Sequence, residues 1–221
     1  MNDAIWNYDI TVAELRACVD FGSKEGFERP LELAAGTGCI ELAKRVLNGP
    51  GAPEDVIRSA LHIAAESGHL AVLDLLLTHI PVDARALSSG IMGQERGVIR
   101  RLTELVATGN CPVDDGAFYA AAYAGDIPTL MFLIEQCELT IVGKNALCQH
   151  ARDLRVLQWL NERGFPMREG VCEWAMRRSP QPNLDIAVWS IQKGAPFSNC
   201  ARWLATKHNL LWLIDLADGH L

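Results

Sequence analysis

A chain of 221 residues with 49 % hydrophobic and 21 % charged residues holds enough apolar side chain to bury a core and is not disordered in composition. Its net charge of −7 argues against a general nucleic-acid binder, which would carry a basic surface. No apolar stretch approaches the roughly 18 uninterrupted residues of a membrane span.

The charge is unevenly spread: residues 1–143 carry a net of −10 and residues 144–221 a net of +3. The surface is therefore polarised along the chain. The seven cysteines are odd in number and include no C-x-x-C pair. Several sit beside apolar residues at helical positions, as small core residues do. A reducing, cytoplasmic location without a disulfide framework is expected. Met1-Asn2-Asp3-Ala4 lacks the basic start and apolar run of a signal peptide.

Residues 1–27 read as a cap over the first repeat, with Val12, Leu15 and Val19 facing inward. From there the chain repeats itself. Similar strings start at 30, 60, 86, 117, 146, 171 and 201. Each reads as two short helices, the first opening near 28, 58, 84, 115, 144, 169 and 199. Paired small residues mark the first helix: Ala34-Ala35, Ala64-Ala65 and Ala121-Ala122. Gly38, Gly68 and Gly125 follow where a helix needs a left-handed C-terminal residue, and Asn209 fills that place in the last repeat. The second helix carries apolar residues at helical spacing, as in Leu154, Val156, Leu157 and Leu160. Gly then Pro ends it, at Gly109/Pro112, Gly164/Pro166 and Gly194/Pro196. No linker interrupts the series, so one domain over 1–221 is expected. The repeat at Ala86 lacks the Ala pair, and those at Ala146 and Val171 lack the Gly, so these three are expected to be irregular.

The string Ser59-Ala60-Leu61-His62-Ile63-Ala64-Ala65 to Leu77 resembles the ankyrin repeat, with Ser59 for the Thr and Ala60 for the Pro of its T-P-L-H-x-A pattern. The resemblance implies an all-α, ankyrin-like solenoid of about seven helix-turn-helix repeats. It implies that Ser59 caps the first helix and ties to His62. It also implies partner binding through the concave first-helix side and its turns. Carried over by position, the contact residues are Arg58, Glu66, Ser67, Asp115, Tyr123, Ala124, Arg177, Arg178, Lys207 and His208. Tyr and Arg are the expected anchors.

His62 and His69 read as structural histidines. Cys148 and His150 lie two apart, but a closed zinc site needs four ligands and no second pair lies nearby in sequence. Trp159 and Trp189 share a repeat position and read as packing residues; Trp174 reads as core; Trp203 takes the place of His62; Trp212 is an end-cap or a contact residue. No nucleophile elbow, phosphate loop, zinc-protease helix or dinucleotide fingerprint occurs, so neither catalysis nor a cofactor is expected. The expected function is binding another protein, as adaptor or inhibitor, by a monomer that engages no nucleic acid or membrane. An enzyme with a cryptic site and an RNA-binding helical solenoid are the alternatives.

Overall fold

The computed structural model describes residues 28–49, 52–177 and 181–220. Among these there are fourteen α-helices, one 3-10 helix and no strand. The expected cap over 1–27 and Arg178 lie outside the described residues. The chain divides into two compact units, Met1–Val113 and Asp114–Leu221.

The first unit holds three hairpins: α1 (Glu28–Thr37) with α2 (Ile40–Leu47), α3 (Glu54–Glu66) with α4 (Leu70–Leu76), and α5 (Ala84–Gly93) with α6 (Arg96–Ala107). First helix packs on first helix, α1 on α3 and α3 on α5, and α2 packs on α4. The second unit holds four: α7 (Asp115–Ala124) with α8 (Ile127–Gln136), α9 (Ile141–Ala146) and the 3-10 helix Leu147–His150 with α10 (Leu154–Glu162), α11 (Gly170–Arg177) with α12 (Leu184–Gln192), and α13 (Asn199–Lys207) with α14 (Leu211–Ala217). There α7 packs on the 3-10 helix, that helix on α11, and α11 on α13. The expected helical repeats are present, and five of the seven first helices open within one residue of the sequence expectation.

The two departures have local causes. Helix α3 opens at Glu54, with Pro53 as its N-cap and Glu54 and Asp55 in its first turn. Pro needs no hydrogen-bond partner at a helix start, and acidic side chains suit the positive end of the helix dipole. Ser59 therefore lies inside the helix and cannot cap it. Its hydroxyl donates instead to Glu32 of α1, 2.6 Å away, and His62 turns to Asp83; the Ser59–His62 tie is absent. Helix α9 opens at Ile141 because Thr140 caps it, accepting from the Gly143 N–H at 2.9 Å.

Small residues explain the packing. Counting four on from each repeat start gives Ala34, Ala64, Gly90, Ala121, His150, Ala175 and Ala205. All but His150 are buried. The repeat at Ala86 thus has a small residue at this position without an Ala pair: a Cβ on Gly90 would come within 2.6 Å of Leu102 and 3.0 Å of Val98, both on α6 of the same hairpin. It also keeps the left-handed turn, which Gln94 adopts at φ 60°, as Asn209 does at φ 58°. That repeat is regular, against expectation. The repeat at Ala146 is irregular as expected, and it is the one with a large residue, His150, at the contact position; the chain there tightens into the 3-10 helix.

Gly38 and Gly68 satisfy two demands. Both adopt positive φ, 71° and 81°. Each also lies beneath a side chain of the next hairpin: a Cβ on Gly38 would meet His69 Nδ1 at 2.6 Å, and one on Gly68 would meet Glu95 Cγ at 2.3 Å. His69 uses the space to reach the Gly36 carbonyl, 3.0 Å from its Nε2.

Replacing Ala64 or Ala121 with Leu should cost roughly 1–3 kcal/mol each, because the helices cannot part without losing their other contacts. Urea denaturation checks this; wild-type midpoints for both variants would show that these residues are not at tight contacts. Ser190 on α12 is fully buried and its hydroxyl has no partner. Ser190→Ala removes an unsatisfied group and should raise stability by about 1 kcal/mol. A lower denaturation midpoint for this variant would mean that the hydroxyl is hydrogen-bonded.

Candidate protein-binding face

The solvent side of the first helices is built from two kinds of residue, those tied to a neighbouring hairpin and those left outward. The position two after each repeat start shows the difference. Glu32 accepts from Ser59, and Glu173 accepts from Ser198 at 2.6 Å. His62 Nε2 lies 2.9 and 3.0 Å from the two oxygens of Asp83. A carboxylate only accepts, so Nε2 carries the hydrogen. At the same position Tyr119 stacks on His150, while Trp203 stands outward, 61 % exposed.

Asp83 gathers three donors. It caps α5 by accepting from the Ala86 N–H at 2.8 Å, and it also accepts from His62 and from Arg58 at 3.1 Å. Burial raises its pKa, but these hydrogen bonds outweigh it and hold the carboxyl below its ordinary value of 3.8. Arg58 is bonded to Glu54 as well. It belongs to the framework of a shallow depression of about 650 Å³ beside α3 and α5, whose rim includes Glu54, Asp55, Glu66 and Arg85. Glu66 and Ser67 are exposed at the end of α3.

In the second unit Asp115 accepts from the Thr140 N–H at 3.2 Å and from its hydroxyl, fixing the start of α9. Ala124 is buried at 9 %, and its carbonyl accepts from Arg152 at 3.1 Å. Tyr123 is 50 % exposed. Arg177 is exposed and donates to Cys200 Sγ at 3.2 Å, crossing from α11 to α13. Lys207 is exposed, with Nζ 5.2 Å from the Trp203 ring centre, and His208 is exposed at the end of α13. Of the sequence-derived contact residues, then, Arg58 and Asp115 are engaged in the framework and Ala124 is covered. Glu66, Ser67, Tyr123, Arg177, Lys207 and His208 are open to solvent.

A row of rings was missed. Tyr119 and His150 stack at 4.2 Å and 21°, and His150 meets Trp174 at 5.6 Å. Trp174, read from sequence as core, is 45 % exposed. It sits one residue before the Ala175 contact, and one residue is about 100° of helix, enough to turn it out. The signal available was that Tyr119 and Trp203 share one repeat position, with Trp174 one residue further on in its own repeat. Trp159 and Trp189 are half-buried, with Arg163 3.8 Å and Lys193 5.9 Å from their ring centres.

Cys148 and His150 meet different neighbours. The Cys148 thiol is buried, its pKa pushed up to about 12 by burial, and it faces the Phe165 carbonyl at 3.6 Å. No group of three or more metal-ligating side chains occurs among the described residues. No described helix is long and apolar enough to cross a membrane.

The family model described as ankyrin repeat matches residues 57–86, from inside α3 to the start of α5. The chain carries an ankyrin repeat. The match covers the hairpin in which the Ala pair, the left-handed Gly68 and His69 all occur, and the other hairpins are helical pairs as well. No curated protein matches the sequence. Ankyrin repeats bind other proteins, so the ankyrin hairpin marks the chain as an interaction module in general terms.

Asp83→Ala should cost about 1–2 kcal/mol at pH 7, through the lost cap and lost charge-assisted bonds. Because the folded pKa is depressed, this contribution is present above the unfolded value and disappears as pH falls through the folded one. The stability gap between wild type and Asp83→Ala should therefore close below about pH 4. Urea melts at pH 7, 5 and 3 test it, and a gap independent of pH would remove Asp83's charge from the account.

Proposed function

We propose that this chain is a non-catalytic adaptor or inhibitor that binds one partner protein through a first-helix face. The observation that carries the reading is the ring row Tyr119–His150–Trp174, together with the exposed Tyr123 and Trp203. Aromatic rings held by their own stacking lose little freedom on binding, and aromatic and Arg side chains dominate interface energies. In the same unit the exposed contact residues Arg177, Lys207 and His208 add polar groups, and in the first unit Glu66 and Ser67 are exposed at the end of α3. The chain acts as a monomer in the cytoplasm, engaging neither nucleic acid nor membrane; its six described cysteines are free thiols, in keeping with a reducing compartment.

The test is quantitative binding to a partner recovered from the native host. Tyr123→Ala should weaken it by about 2 kcal/mol, mostly through faster dissociation. Arg177→Glu should act more on association rate and salt dependence. Glu162→Lys on α10, a second helix, is the control. If Glu162→Lys weakens binding and the two face variants do not, the partner uses the second-helix side.

A further inference from the structure

We infer that the partner lays an extended basic segment in the depression between α3 and α5, with two cations about five residues apart. The inference rests on the first-helix reading above and adds to it a site on the first unit.

The depression is held open by the fold itself. Arg58 reaches across from α3 to Asp83 at the head of α5. Towards the other end Gly93 of α5 lies on the backbone of α3, where a Cβ would come within 2.1 Å of the Glu66 carbonyl oxygen. Between these two fixed points Ile63 on α3 and Ser89 on α5 line a space of about 650 Å³. Ala60, Leu61, Ala64 and Ala65 on the inner side of α3 are fully buried, which anchors that wall. A cleft already formed takes up a ligand with little loss of freedom.

Its charges are unequally spent. Glu54 and Asp83 both hold Arg58, and Asp83 also holds His62. Asp55 and Glu66 are exposed and form no ion pair among the described residues. The lining and Asp83 together carry four carboxylates, Glu54, Asp55, Glu66 and Asp83, against two cations, Arg58 and Arg85. The helix dipole accounts for some of these acids. Glu54 and Asp55 lie in the first turn of α3, where negative charge is favourable. Glu66 lies in the last turn, where it is unfavourable, and no described cation offsets it.

The spacing of the two unpaired acids selects the occupant. Asp55 and Glu66 are eleven residues apart on one helix, about 16 Å along its axis. No single metal ion joins groups so far apart. An extended segment covers that distance in about five residues. A Lys or Arg at each end would meet one carboxylate, and its aliphatic stem would lie along the depression over Ile63. A phosphate backbone or an anionic membrane would face four carboxylates instead. The chain's net charge of −7 also draws a basic segment in from a distance.

The experiment selects peptides from a random displayed library against the full chain and measures those recovered by fluorescence anisotropy. Recovered peptides should carry Lys or Arg pairs about five residues apart, and their affinity should fall as salt rises. Asp55→Lys and Glu66→Lys should each weaken binding about tenfold, and changing one peptide cation to Glu should restore it to the matching variant. Ser89→Phe, which fills the depression without altering charge, should weaken binding as well. Asp55 and Glu66 are exposed, so their variants carry the test even where Ser89→Phe melts early. Glu66→Lys should melt no lower than wild type, because a cation replaces an acid at the end of the helix. A lower melt would make Glu66 part of the framework and overturn the inference. Neutral or acidic recovered peptides overturn it, and so does recovery of none. Basic peptides weakened as much by Glu162→Lys as by the depression variants show diffuse attraction and overturn it too. Basic peptides insensitive to the three depression variants but weakened by Tyr123→Ala overturn it while leaving the first-helix reading intact. Peptides weakened only by Glu162→Lys overturn both.

Discussion

The constraint that the rest depends on is a buried residue no larger than alanine at the middle of the first helix. Ala34, Ala64, Gly90, Ala121, Ala175 and Ala205 hold this place. Packed interiors tolerate neither a gap nor an extra methylene at such a site. Side chains of the first helices also tie neighbouring hairpins, in the pairs Glu32–Ser59, His62–Asp83 and Glu173–Ser198. The glycines meet the next hairpin as well: His69 and Glu95 lie directly on Gly38 and Gly68, and any Cβ there would collide. The repeat at Ala146 shows the converse. A histidine at the contact cannot be enclosed, so it turns outward onto Tyr119, and the chain passes into a 3-10 helix instead of an uninterrupted first helix.

These cross-hairpin bonds also decide which polar residues have no chemistry to offer. His62 has the looks of a base, with a carboxylate beside it. That carboxylate is the cap of α5 and is shared with Arg58 and the Ala86 N–H. A group that closes a helix start and balances an arginine is committed to the fold. Cys148 is likewise committed, a buried thiol with its pKa pushed up to about 12. Reactive thiols need the opposite environment, one that stabilises the thiolate.

Much of this fold could be read from the sequence because its rules are local. A small residue, a glycine eight from the start and a Gly-Pro after the second helix each answer to a backbone demand within one hairpin. The repeat at Ala86 escaped because the demand was met by other residues. Gly90 is smaller than the alanine sought, and Gln94 adopts the left-handed turn that Gly or Asn usually fills. Ser59 misled for a related reason. The motif fixes its place relative to His62, but Pro53, six residues upstream, sets where the helix begins, and a hydroxyl in mid-helix looks for a partner on the next helix.

The contact residues were less legible, because exposure on this face depends on what the neighbouring hairpin offers. Two residues after each start, the side chain is spent when the adjacent helix presents a matching hydroxyl or carboxylate, as for Glu32, His62 and Glu173. It remains outward when none is presented, as for Trp203. Six residues after the start, Tyr123 and Arg177 are exposed, while Asp115, at the mouth of α7, is consumed by Thr140. Family position alone does not register this: it gives Arg58, Asp115 and Ala124 the same standing as Tyr123, although the first two are bonded to neighbouring side chains and Ala124 is buried, while Tyr123 is half exposed. A bonded side chain gains less by turning to a partner, because that bond would have to be broken first. An exposed indole or tyrosine ring gains its full burial. On this face the residues that build the stack and those left exposed alternate along the same helices, and only the neighbour's chemistry tells them apart.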